Sequence, residues 1–295
     1  MWFLFAVLAA FCWALINVLD SILVHNYEKR PMALMWSQSM WSLPILLILS
    51  QLLPLESTWI PVLLLFGVIG YVGDVWFFHV LEHVDVSVSN LAWALLSLFL
   101  AFAGFLLFGE SWTMLQTVGA LLTVLGTLLL ILFHQHINLK HAVFLILSLS
   151  LLYVPFYVMK KAAVDGGQHP AAVFFWLVLA REITSFSLPL LFPSVRRTAI
   201  KAIRANWSFS AINACVIVTF FAAEYFGTLA YASGDLSLVA IANNVQPFFV
   251  LALAGLFNWL MPRRVPKELL SRQSVWIKLC TFFVVFLGLA LLALH

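Results

Sequence analysis

The sequence predicts an all-α polytopic membrane protein with ten transmembrane helices, arranged as two inverted five-helix repeats. Three observations carry this expectation. Hydrophobic residues fill 64% of the 295 positions and charged residues only 9%, against roughly 25% charge in soluble domains. Apolar runs of about 20 residues, the length needed to cross ~30 Å of hydrocarbon, recur along the whole chain. The runs lack the alternation of barrel strands, and a spanning backbone must satisfy its polar groups internally, so they are read as helices.

The first span, near 2–24, has no basic region before it and is longer than the apolar core of a signal peptide, so it is read as a retained helix. Polar punctuation sets the others near 32–53, 59–82, 86–108, 111–133, 141–161, 170–193, 209–231, 236–258 and 274–294. The breaks hold Glu28-Lys29-Arg30-Pro31, Gly109-Glu110-Ser111, Asp165-Gly166-Gly167 and Pro262-Arg263-Arg264. Asp85 and Ser87, Asp235 and Ser237, and Glu110 with Ser111 stand at the starts of the fourth, ninth and fifth spans, where such residues cap free N–H groups. Gly67, Gly70 and Gly73 in the third span, with Gly119 and Gly126 in the fifth, mark faces for close helix approach. The connections near 194–208 and 259–273 are short and basic, and no stretch is left for a soluble domain.

Orientation follows from the basic residues. Lys29, Arg30, Lys140, Arg196, Arg197, Lys201, Arg204, Arg263, Arg264, Lys267, Arg272 and Lys278 share one set of alternate loops, which holds 12 of the 15 Lys and Arg. That side is expected in the cytoplasm, with both termini outside, and the compact chain suits a bacterial cytoplasmic (inner) membrane. The net charge of +3 follows this loop asymmetry and gives no case for a nucleic-acid partner. Cys12, Cys215 and Cys280 lie in apolar runs, so no disulfide framework is expected.

A shift of 150 residues places Asp74, Asp85, Ser87, Ala92 and Phe99 on Glu224, Asp235, Ser237, Ala242 and Phe249. The halves, 1–137 and 138–295, are therefore read as copies of one unit. Five spans per copy is odd, so the copies enter the membrane in opposite senses, as in many secondary transporters. The run Leu106-Leu107-Phe108-Gly109-Glu110-Ser111-Trp112-Thr113, followed by Gln116, Gly119 and Gly126, resembles the fourth-to-fifth helix passage of EamA-type proteins of the drug/metabolite transporter superfamily. Pro247 and Gly288 fit the second half of that plan, whereas Ser97 and Leu260 depart from it. The resemblance implies a ten-span secondary transporter, an exporter or exchanger of a small organic metabolite such as an amino acid, working by alternating access and without enzymatic activity.

Candidate site residues are the polar groups sunk in the spans. Asp74 and Glu224 lie deep in the third and eighth, where a charge costs at least about 2.5–3.5 kcal/mol, so each is expected to face a cavity or partner and to carry a proton or bind a cationic group. The alternative is an interhelical hydrogen bond or a pairing with Arg181. Arg181 can receive an anionic solute group or neutralise Glu224, and the adjacent Glu182 is expected to point about 100° away from it. Asn243, Asn244 and Gln246 precede or flank Pro247, which frees the carbonyl of Asn243 and makes a polar midplane site. Trp13, Trp41 and Trp76 can wall a cavity, with packing the competing account, while Trp2, Trp59, Trp112, Trp207 and Trp276 suit interface belts. His79 and His83, with Glu82 between, and His134, His136 and His141 match no metal motif, so neither metal nor cofactor is expected. The expected partners are the solute, the bilayer and protons, the chain acting as monomer or homodimer. Alternative readings are a carrier of nucleotide-sugar or lipid-linked substrates and a histidine-based membrane metalloenzyme.

Overall fold

A computed structural model describes residues 1–28, 30–83, 86–132, 139–260 and 272–293, with side chains omitted at 82, 83, 86–91, 127, 128, 130–132, 139–143, 205, 272–279, 282 and 293. Among these residues every regular element is helical. In chain order they are α1 (Trp2–Asn26), α2 (Pro31–Leu49), α3 (Ile60–His83), α4 (Val86–Phe108), α5 (Met114–Leu132), α6 (Leu139–Asp165), α7 (Pro170–Ser187), α8 (Pro193–Ala205), α9 (Trp207–Ser233), α10 (Leu236–Ala242), α11 (Gln246–Leu260) and α12 (Arg272–Ala293). Single 3₁₀ turns follow α7 (Leu188–Leu191) and α10 (Asn243–Val245). Among the described residues, seven helical stretches are long and apolar enough to cross a bilayer: α1, α2, Ile60–Leu81, Phe144–Asp165, Pro170–Leu191, α9 and Leu236–Leu260. Shorter apolar stretches occur in α4, α5 and α12.

Local chemistry explains the boundaries. Pro31, Pro170 and Pro193 open α2, α7 and α8, where a missing N–H costs nothing. The start of α5 is set by a reciprocal box: Thr113 N donates to Gln116 Oε1 at 2.8 Å, and Gln116 N donates to Thr113 Oγ1 at 3.3 Å. Glycine in the left-handed region, Gly167 at φ 80°, ends α6, and Gln168 N returns to the Ala163 carbonyl at 3.1 Å.

Several boundaries differ from the sequence expectation. Helix α6 runs to Asp165 rather than 161, and Lys160 and Lys161 are buried within it. The basic connection near 194–208 contains α8, which buries Ala199 against Ala33 and Trp36 and leaves Arg197, Lys201 and Arg204 exposed. The ninth expected span is α10 and α11 joined by the 3₁₀ turn just before Pro247, in line with the missing N–H of that proline.

Packing joins distant parts of the chain. Helix α1 lies against α9 and α11, α3 against α6 and α7, α4 against α6 and α10, α2 against α7, and α5 against α12. Glycines permit the closest approaches. A Cβ at Gly67 would collide with the Leu177 carbonyl oxygen and stand 2.7 Å from Ala180 Cβ, and one at Gly119 would stand 2.7 Å from the Gly288 oxygen. Gly70 and Gly73 admit the rings of Phe156 and Tyr153, each 3.0 Å from where a Cβ would be. Through these contacts α3, α6, α7 and α9 bring their polar residues together.

Candidate functional site

Ion pairs sunk among these helices surround a chamber with about 780 Å³ of empty space, counted out to its mouth. Its lining includes Trp13 of α1, Asp74 of α3, Lys160 of α6, Arg181 of α7, Glu224 of α9, Asn243 and, from α11, Gln246. Lys160 Nζ is ion-paired with Glu224 Oε2, their side chains 1% and 5% exposed. The ammonium also lies 4.7 Å from the Phe156 ring centre and 5.2 Å from that of Tyr157, so ring faces supplement the carboxylate.

The second cluster is a triad. Arg181 Nε is ion-paired with Asp74 Oδ2, and Arg181 Nη1 donates to Glu182 Oε1 at 2.6 Å. Tyr153 donates its hydroxyl to Asp74 Oδ1 at 2.6 Å, and Ser42 Oγ donates to Glu182 Oε2. The guanidinium stands 3.9 Å over the Phe220 ring, a geometry its planar, weakly hydrated cation favours. Each carboxylate of the triad thus has one cation and one hydroxyl partner, as buried charges require.

The sequence-selected residues divide between chamber and surroundings. Asp74, Glu224, Arg181, Asn243, Gln246 and Trp13 line the chamber together. Asn244 lies behind it, donating to Ser97 Oγ at 2.8 Å, and Pro247 is buried in α11. Trp76 donates its indole N–H to Ser148 at 2.9 Å and rests against His79, while Trp41 is 42% exposed on α2; neither joins the chamber lining. The partner of Arg181 is Asp74, whereas Glu224 takes Lys160. Arg181 and Glu182 do meet, contrary to the 100° argument, because the long side chain of Arg181 curls along the helix to its neighbour. Asp235 makes no side-chain cap. Instead Glu110, expected to cap α5, crosses to α10 and accepts from Leu236 N at 2.5 Å and Ser237 N at 3.0 Å. Trp112 Nε1 donates to Ser237 Oγ at 2.8 Å beside it.

Sequence reasoning missed Lys160, Glu182, Tyr153 and Tyr157 as chamber or triad residues. Lys160 had a legible signal, since it lies seven residues after Tyr153 on one helix face. Among the described residues no group of three His, Cys, Asp or Glu side chains is placed to hold a metal ion. The side chains of His83, Asp85, Ser87, His134, His136, His141 and Trp276 lie outside the description.

Apolar helices of membrane-crossing length, wrapped around charged pairs and a cavity, define an integral, multi-pass membrane protein. The family model of the EamA-like transporter family matches residues 1–132. A solved structure described only as "crystal structure of protein" aligns with a TM-score of 0.65 over 99% of this chain and 96% of its own, at 16% identity, a likeness of fold alone. No curated protein sequence matches.

Proposed function

We propose that the protein is a secondary transporter that exports or exchanges a small zwitterionic metabolite, such as an amino acid, by alternating access. The observation that carries this reading is the convergence of Lys160–Glu224 and Asp74–Arg181–Glu182 on one chamber. A solute ammonium can displace Lys160 from Glu224, and a solute carboxylate can take a cation released by the exchange. Charge is then conserved as the solute enters, so the low-dielectric site never holds an unpaired ion. Trp13, Trp93 and Tyr157 supply apolar wall for the rest of the solute. A nucleotide-sugar substrate fits less well, since both chamber cations are already neutralised by carboxylates and a polyanion would need free ones.

The reading includes two five-helix units, 1–137 and 138–295, inserted in opposite senses and rocking about the chamber. Reciprocal packing supports it: α1 against α9 mirrors α6 against α3, and α4 against α6 mirrors α11 against α1. It also includes coupling to protons, a bacterial cytoplasmic membrane, and a cytoplasmic location for the basic loops. The test is uptake of radiolabelled L-amino acids into proteoliposomes under an imposed pH gradient, comparing wild type with Asp74→Asn, Glu224→Gln and Arg181→Ala. Wild-type accumulation that the variants lose is the expected result. No accumulation of any labelled amino acid above empty liposomes overturns the assignment.

A further inference from the structure

Among the described residues, Asp20 is a buried carboxyl with no ion-pair partner and no hydroxyl donor. It is 4% exposed and accepts one hydrogen bond among the described residues, from Gln38 Nε2 at 3.1 Å. None of the ion pairs of the described residues includes it. By contrast, Glu224 holds Lys160, and Asp74 and Glu182 share Arg181 and take one hydroxyl donor each. Insertion of an acid in hydrocarbon costs several kcal/mol, so a carboxyl kept there without a counter-cation is poised to take one.

Its surroundings show where such a cation would act. Asp20, Asn17 and Gln38 line a second cavity, of about 430 Å³ of empty space, whose other wall contains Asp74 and Arg181. Six residues line both cavities: Trp13, Asp74, Trp93, Tyr153, Arg181 and Phe220. The cavities are stacked along the bundle, because α1 gives Ala9 and Trp13 to the first and Trp13 to Asp20 to the second. On α9, running the opposite way, Phe220 to Tyr231 line the first and Val216 to Phe220 the second. The shared residues are therefore a partition, and Arg181 is its cation.

We propose that Asp20 is the proton-binding group that couples this partition to a proton gradient. As the carboxylate, Asp20 competes with Asp74 for Arg181 across the second cavity, and that pull loosens the partition. As the acid it exerts no pull, and Arg181 stays with Asp74 and Glu182. The step is acid–base only: hydronium on one side gives its proton to a carboxylate oxygen of Asp20, and the acid returns it to water on the other. Among the described residues, the ionisable groups facing this cavity are Arg181 of α7, Asp74 of α3 and Tyr153 of α6. From α9, α4 and α2 come Val216, Ile217, Phe220, Trp93 and Gln38, and α11, packed on α1, carries no ionisable residue between Gln246 and Leu260.

The inference rests on the carrier reading for its purpose, but its test needs no substrate. Infrared difference spectra of the full chain in liposomes, taken between acid and alkaline buffer, report the carbonyl stretch of a carboxyl that gains a proton. The expected band vanishes in Asp20→Asn, remains in Glu224→Gln, and moves in frequency in Asp20→Glu. A titrating band that persists unchanged in Asp20→Asn, or the absence of any such band in wild type, overturns the assignment. Should Asp20→Asn fail to fold, a band unmoved in Asp20→Glu overturns it equally. Absent uptake with an Asp20 band intact would refute the carrier reading and leave the proton site standing.

Discussion

Replacing Lys160 by methionine strands Glu224 in the bundle with no cation in place of the one it loses. The pair is buried at the chamber wall, with side chains 1% and 5% exposed, so little solvent reaches the partner left behind. Removing one member of such a pair costs about 3–5 kcal/mol. Glu224→Gln should cost less than Lys160→Met, because the stranded ammonium keeps the faces of Phe156 and Tyr157, worth up to about 2 kcal/mol when desolvated. The double variant removes both charges and should recover most of the loss, since a buried pair exchanged for neutral groups is often neutral in stability. The assay is unfolding of the detergent-solubilised protein followed by circular dichroism, run as a double-mutant cycle. A coupling of about 3 kcal/mol is expected. Losses that simply add, or single variants within about 1 kcal/mol of wild type, would show that the pair is not a buried ionic contact.

Gly67→Val should destabilise by about 1–3 kcal/mol, because the new side chain has no room between α3 and the Leu177 carbonyl of α7; thermal melting checks it. Glu110→Ala leaves the first amides of α10 without an acceptor and should cost a similar 1–3 kcal/mol, with Glu110→Gln recovering part of it in the same melt. Arg181→Lys should fold yet fail to support uptake in proteoliposomes, since a point-like ammonium cannot bridge Asp74 and Glu182 as the planar fork does. A reporter fused in the 263–267 loop should give a cytoplasmic signal; an external signal would invert the proposed topology.

What the amino-acid sequence determined by itself was the solvent and the local backbone. Residue composition and run length specify apolar helices, because hydrocarbon leaves a chain no other way to satisfy its amides. The disturbance before Pro247 was legible too, for it depends on residues a few positions apart, whereas the cap of α5 was expected at Glu110 and Ser111 and lies in the Thr113–Gln116 box. Asp74, Arg181 and Glu224 stood out as site residues through the cost of burying them. Only the tertiary structure decided who meets whom. Lys160 finds Glu224 across 64 positions, Arg181 finds Asp74 across 107, and Glu110 reaches Leu236 across 126. Helical periodicity says which face a residue occupies and nothing about which other face it meets. The strongest charges in this protein therefore took their roles from packing, set by glycines such as Gly67, Gly70 and Gly73 that let one helix close upon another.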